Sequence, residues 1–111
     1  MKLELNLAKD FGTFLAEGAL AAAYRLKQIE PFYHAYTEIV LDFTGVRNIN
    51  SSFANALIVP LIEQHGEEAL KKLRFHGCNA VVRVLVESAL TLGVERASAD
   101  ARDPNGAVRP G

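Results

Sequence analysis

The sequence predicts an α/β domain, a small layer fold with a mixed sheet of about four strands and helices mainly on one face. Three observations carry that expectation. The apolar pattern switches between the two-residue period of strands and the 3.6-residue period of helices, in the order strand, helix, strand, helix, strand, helix. The run Ile39-Val40-Leu41 is apolar on both faces, as in a central strand covered from two sides. A chain of 111 residues, 50% hydrophobic and 23% charged, is large enough for one small domain with a buried core.

At the start, Leu3, Leu5 and Leu7 alternate with Lys2, Glu4 and Asn6, which predicts a half-buried strand near a sheet edge. Residues 9–12 break the alternation. Residues 14–29 read as a helix, alanine-rich from Ala19 to Ala23, with Leu15, Ala19, Ala22 and Leu26 at helical spacing. Pro31 ends or kinks it. Residues 39–43 form the central strand. Asp42, near its end, is placed to accept hydrogen bonds from the following turn, which Gly45 serves; both have structural roles.

The polar triplet Asn50-Ser51-Ser52 precedes a helix over residues 53–65, with Asn50 or Ser52 as N-cap and Gly66 as the stop. Pro60 cannot donate to the Ala56 carbonyl, which predicts a bend or a one-turn defect. Residues 73–76 follow as a short strand, and residues 77–79 as a turn. Residues 80–92 then form a helix with Val81, Val82, Leu85, Ala89 and Leu92 inward, ended by Gly93. Residues 94–96 are read as a last strand. A single domain spans residues 1–96, and residues 97–111, small and polar, form a flexible C-terminal tail.

Composition excludes several function classes. Net charge is −1, and Lys71, Lys72 and Arg74 make the sole basic cluster, so no nucleic-acid partner is expected. The lone Cys78 rules out an internal disulfide and fits a reducing, cytoplasmic compartment. The charged, alternating start does not resemble a signal peptide, and no apolar run spans a bilayer, so no membrane partner is expected. His76 and Cys78 lack the second pair that a structural zinc site needs. No phosphate-binding loop or nucleophile elbow is present, and no cofactor is expected.

The segments Leu41-Asp42-Phe43, Gly45-Val46, Ile49 and Ser52-Phe53-Ala54, with residues 73–90 after them, resemble a STAS-type domain (sulfate transporter and anti-sigma factor antagonist). Within that group the chain is most similar to the bacterial STAS-like family of unknown function. The resemblance covers roughly residues 1–95. In anti-sigma factor antagonists the motif after the strand is Asp-Ser-Ser-Gly, and a partner kinase that doubles as anti-sigma factor phosphorylates its second serine. Carried over in order, Asn50 stands at the aspartate, Ser51 and Ser52 at the serines, and Phe53 at the glycine. The resemblance thus makes Ser52 the candidate phospho-acceptor, with Ser51 second. Helix capping is the other use for these hydroxyls, and the two readings are compatible.

The expected function is a non-enzymatic regulatory domain, active in bacterial signalling. It binds a partner protein, a histidine-kinase-like ATPase or anti-sigma factor by resemblance, through Asn50, Ser51, Ser52, Phe53, Asn55 and the apolar flank Ile58, Val59 and Ile62. A homodimer remains open. The alternative is small-anion or nucleotide binding at the same helix N-terminus, whose unpaired N–H groups and partial positive charge suit an anion. A third reading, an enzyme using Asp42, Ser52 and a histidine, requires a histidine within reach of Ser52.

Overall fold

The computed structural model describes residues 1–102. The expected tail falls partly within it: residues 97–102 are helical, and residues 103–111 lie outside the described residues.

Strand β1 (Lys2–Asn6) leads into the short helix α1 (Leu7–Phe11) and the two-residue strand β2 (Phe14–Leu15). Helix α2 (Gly18–Tyr24) widens into a π-helical turn over Arg25–Ile29 and then a 3-10 turn over Glu30–Ala35. Strands β3 (Glu38–Asp42) and β4 (Asn48–Ile49) precede helix α3 (Ser51–His65). Helix α4 (Glu68–Lys72), strand β5 (Leu73–His76) and the long helix α5 (Ala80–Arg102) complete the order.

The main sheet has three strands in the order β1-β3-β5, all parallel, and β2 pairs with β4, also in parallel, as a separate two-stranded sheet. The expected mixed sheet of about four strands is therefore corrected. Residues 94–96 do not form a strand; they continue α5. Gly93 reads as a helix stop but is buried inside the helix. A Cβ there would come within 2.8 Å of Ile62 Cδ1, so the glycine lets α5 lie close against α3 instead of ending it.

Register sorts the side chains of the sheet. Leu3 and Leu5 share a face with Ile39, Leu41, Leu73 and Phe75 and pack on the core. Lys2, Glu4, Asn6, Glu38, Arg74 and His76 occupy the other face with Val40, which is buried but stands apart from the core cluster. Sequential parallel strands joined by crossovers of one hand place their helices on one side, so among the described residues the helices that follow the strands cover one face of the central strand. On that side α3 lies between α2 and α5.

Two helix readings change. α2 begins at Gly18, and its buried face is Ala21, Arg25 and Ile29; Ala19 is exposed and Leu26 is 57% exposed. The later start and the wider π turn rotate the face. In α5 the buried residues among those described are Val82, Val86, Ala89 and Gly93, while Leu85 and Leu92 are half-buried and Val81 is exposed. The helix containing Pro60 runs without interruption to His65, and Gly66 follows it with φ +75°. The Ala56 carbonyl that Pro60 leaves free accepts a hydrogen bond from Arg25 Nε at 3.1 Å.

Candidate functional site

The candidate site is the first turn of α3. Asn50 builds it with three hydrogen bonds. Its N–H donates to the Leu15 carbonyl at 3.1 Å, its Oδ1 accepts from the Phe53 N–H at 2.9 Å, and its Nδ2 donates to the Ala16 carbonyl at 2.7 Å. The residue thus caps α3 and ties it to the segment between β2 and α2. An amide meets both demands because it offers a donor and an acceptor; a carboxylate would set an oxygen against the Ala16 carbonyl. Asn50 is the cap, so Ser51 and Ser52 are not needed for capping. Both are exposed, and among the described residues neither hydroxyl takes part in a hydrogen bond.

The start of α2 abuts this turn. A Cβ on Gly18 would stand 2.5 Å from Ser52 Oγ and 3.1 Å from the Ser52 carbonyl, so a side chain there would displace the Ser52 hydroxyl and press the two helix starts apart. Beside them lies a cleft of about 280 Å³ whose lining includes Phe11, Phe14, Leu15, Leu20 and Phe53. Phe14 is 57% and Leu20 50% exposed. The cleft floor is held by edge-to-face packing of Phe11 on Phe53, with centroids 5.1 Å apart.

The predicted apolar contact residues are not at the surface. Phe53, Ile58, Val59 and Ile62 are all buried, so the expected apolar flank of α3 is core, packed between α2 and α5. The Phe53 ring points inward and does not obstruct the approach to Ser52. Asn55 is half-buried. The exposed apolar surface near the serines comes instead from Phe14 and Leu20, which the sequence reading placed in one helix.

Asp42 is the last residue of β3, and Gly45 sits in the turn after it. Asp42 Oδ1 accepts from the Thr44 hydroxyl at 2.6 Å and from its N–H at 2.9 Å. These bonds, the hydroxyl's first, hold the Asp42 carboxyl below its ordinary value. Gly45 has φ +91°, where a side chain would strain the turn. Among the described residues no histidine hydrogen-bonds to Ser52, and His65, which ends the same helix, is about 20 Å away by helical rise. Cys78 is half-buried, and burial raises its thiol pKa. Among the described residues no group of three or more His, Cys, Asp or Glu side chains could hold a metal ion.

Sequence reasoning missed one polar cluster. Arg25 Nη1 lies 3.5 Å from Glu30 Oε2, and Glu30 Oε1 lies 3.1 Å from His65 Nε2. The His65 ring stacks on Tyr33 at 3.6 Å, the Tyr33 hydroxyl donates to Glu68 Oε1 at 3.0 Å, and Lys72 Nζ donates to the Tyr33 carbonyl at 2.7 Å. The cluster joins the π turn to the end of α3 and to α4. Burial, followed by the bond to Glu68, raises the Tyr33 phenol pKa. The signal for it was the carbonyl orphaned by Pro60, which required a donor from elsewhere in the fold.

A family model described as a STAS-like domain of unknown function (DUF4325) matches residues 22–83, which include β3, all of α3 and β5. No curated protein and no solved structure matches the chain.

Proposed function

The chain belongs to the family of STAS-like domains of unknown function, and on that premise we propose that it is a non-enzymatic regulatory domain that docks a protein partner at the start of α3. One observation carries the reading: Asn50 takes the capping role and leaves Ser51 and Ser52 exposed beside the cleft at Phe14 and Leu20. The docking surface comprises Asn50, Ser51, Ser52, Asn55, Phe14 and Leu20. A cleft lined by Phe11, Phe14, Leu15, Leu20 and Phe53 together with Glu17, beside free hydroxyls, suits a protein surface, which fills the cleft and hydrogen-bonds its rim.

Ser52 is the switch in this reading. A phosphate adds about −1.5 to −2 charges. The helix start tolerates that charge, because two helix ends carry partial positive charge there. A partner whose apolar side chain sits on Phe14 and Leu20 does not, because the phosphate must then be desolvated. The partner, a serine kinase that doubles as anti-sigma factor in the resembling family, supplies the ATP, and the setting is bacterial and cytoplasmic.

The test is capture of the tagged chain from its host, read by mass spectrometry for bound proteins and modified residues, followed by binding of the captured partner to variants. Ser52→Ala should keep affinity and Ser52→Asp should lower it at least tenfold, the effect of roughly 1.4 kcal/mol. Unchanged affinity in both variants refutes the switch, and unchanged affinity in Phe14→Ser with Leu20→Ser refutes the surface. The alternative, anion binding at the same place, draws on the abutting starts of α2 and α3. It predicts a dose-dependent rise in Tm with inorganic phosphate, and a flat response refutes it.

A further inference from the structure

We propose that a second copy of this chain pairs antiparallel along the open edge of β1, joining two three-stranded sheets edge to edge. This edge is a different surface from the start of α3, and the proposal does not rest on the function assigned there.

β1 is the outer strand in the order β1-β3-β5, and among the described residues its other side has no partner. The Met1 carbonyl accepts from the Thr37 N–H at 2.9 Å, so Met1 turns its polar groups toward β3. Successive residues of a strand point these groups to opposite sides. Leu3 and Leu5 therefore also bond inward, and Lys2 and Glu4 present their N–H and carbonyl groups to the open edge. The far edge offers less. There the Leu73 N–H already donates to the Ala69 carbonyl, and the Leu73 carbonyl accepts from Arg74 Nη1. Leu3 and Leu5 pack on the core yet remain half-buried, so no helix overhangs β1 and another strand can come alongside.

Two identical edges close on a two-fold axis, which makes their strands antiparallel. The hydrogen-bonded positions must then be residues that point outward in both copies. Registers that set Lys2 opposite Lys2, or Glu4 opposite Glu4, oppose like charges. Those that centre on Asn6 run into the turn where its side chain caps α1 by accepting from the Lys9 N–H. The remaining register sets Lys2 of each copy opposite Glu4 of the other.

Both faces of the strand favour that register. On the solvent face, Lys2 and Glu4 are 52% and 63% exposed and stand 3.7 Å apart along one chain. In the pair they form a square in which every neighbour, along the strand and across it, has the opposite sign. On the core face, Leu3 meets Leu3 at the axis, and Leu5 lies opposite Met1, which is 87% exposed in the single chain. One alignment thus satisfies the main chain, the charges and the apolar row together, and this self-complementarity identifies the occupant as a second copy. The contact is small, of the transient class, so the dimer forms at high protein concentration.

The test is sedimentation equilibrium of the full chain over a range of concentrations. The parent should associate as a dimer. Lys2→Glu makes the solvent-face row wholly negative and Glu4→Lys makes it wholly positive, so each should weaken self-association about tenfold through several small surface charge terms. An equimolar mixture of these two variants should associate again, as a heterodimer, because each row then faces its opposite. The double variant, Lys2→Glu with Glu4→Lys, should self-associate like the parent. In the isotope-labelled parent, dilution should shift the amide signals of Lys2, Leu3 and Glu4 most. A parent that stays monomeric, single variants that associate like the parent, or a mixture no tighter than its components would overturn the proposal. So would dilution shifts centred on Phe75, or on Phe14 and Leu20, which would place the contact elsewhere.

Discussion

Replacing Arg25 by methionine probes how the fold accommodates Pro60. Arg25 is only 8% exposed, and its Nε supplies the Ala56 carbonyl with the hydrogen bond that residue 60 would give in an ordinary helix. Methionine keeps most of the stem volume and removes both the donor and the partner of Glu30. A part-buried acceptor left unpaired costs up to about 1–3 kcal/mol, and loss of the Glu30 contact adds at most about 1 kcal/mol, since Glu30 keeps His65. The sum, about 3 kcal/mol, lowers Tm by roughly 15 °C in a domain of this size. The informative experiment is a double-mutant cycle with Pro60→Ala, measured by urea denaturation. Alanine restores a backbone donor to the Ala56 carbonyl, so Arg25→Met should cost about 1–2 kcal/mol less in that background. If the two substitutions add to within about 0.3 kcal/mol, the carbonyl is not what Arg25 serves, and the reasoning fails.

Other outcomes follow from the same geometry. Asn50→Asp keeps the cap acceptor but loses the bond to the Ala16 carbonyl, and should destabilise the fold by about 1–3 kcal/mol in denaturant titration; a neutral result would refute the two-way role of the amide. Gly93→Val should cost about 1–3 kcal/mol through overpacking against Ile62, whereas a helix that merely ended at residue 93 would be indifferent. Asp42 has a folded-state pKa below the ordinary 3.8, so its contribution is fully present above that value and is lost as pH falls through the folded value. Between about pH 6 and about pH 3, Thr44→Val should therefore show a shallower acid loss of stability than the parent, read from denaturation midpoints.

The sequence was most informative where one physical signal dominated. The Leu3–Leu5 alternation marks β1, and Asn50 and Gly66 bracket α3 because a cap and a left-handed stop are local requirements. β2 and β4, at two residues each, are too short for any period to show, and β2 was absorbed into the following helix. Gly93 misled because a glycine at a helix–helix contact and a glycine at a helix end look alike in one dimension. Ile58, Val59 and Ile62 were read as a flank because α3 is apolar nearly all round, and only the positions of α2 and α5 show that both sides are covered. Arg25 stayed invisible for a related reason: a lone cation after an alanine run reads as solvent-facing. At the candidate site, the serines were legible from their place before an apolar helix. Phe14 and Leu20 were not, since parallel pairing of β2 with β4 is what brings them beside Ser52.

The order of strands along the chain is also their order across the main sheet. As the polypeptide is made from its N-terminus, β1 comes first, β3 adds to the side of β1, and β5 adds to the far side of β3. Every pairing thus joins segments separated by an entire crossover, and no hairpin is available to nucleate the sheet locally. The sheet grows in one direction, each strand closing the edge left by its predecessor. Growth of this kind leaves its last edge unpaired among the described residues, and from that last strand the chain passes directly into α5.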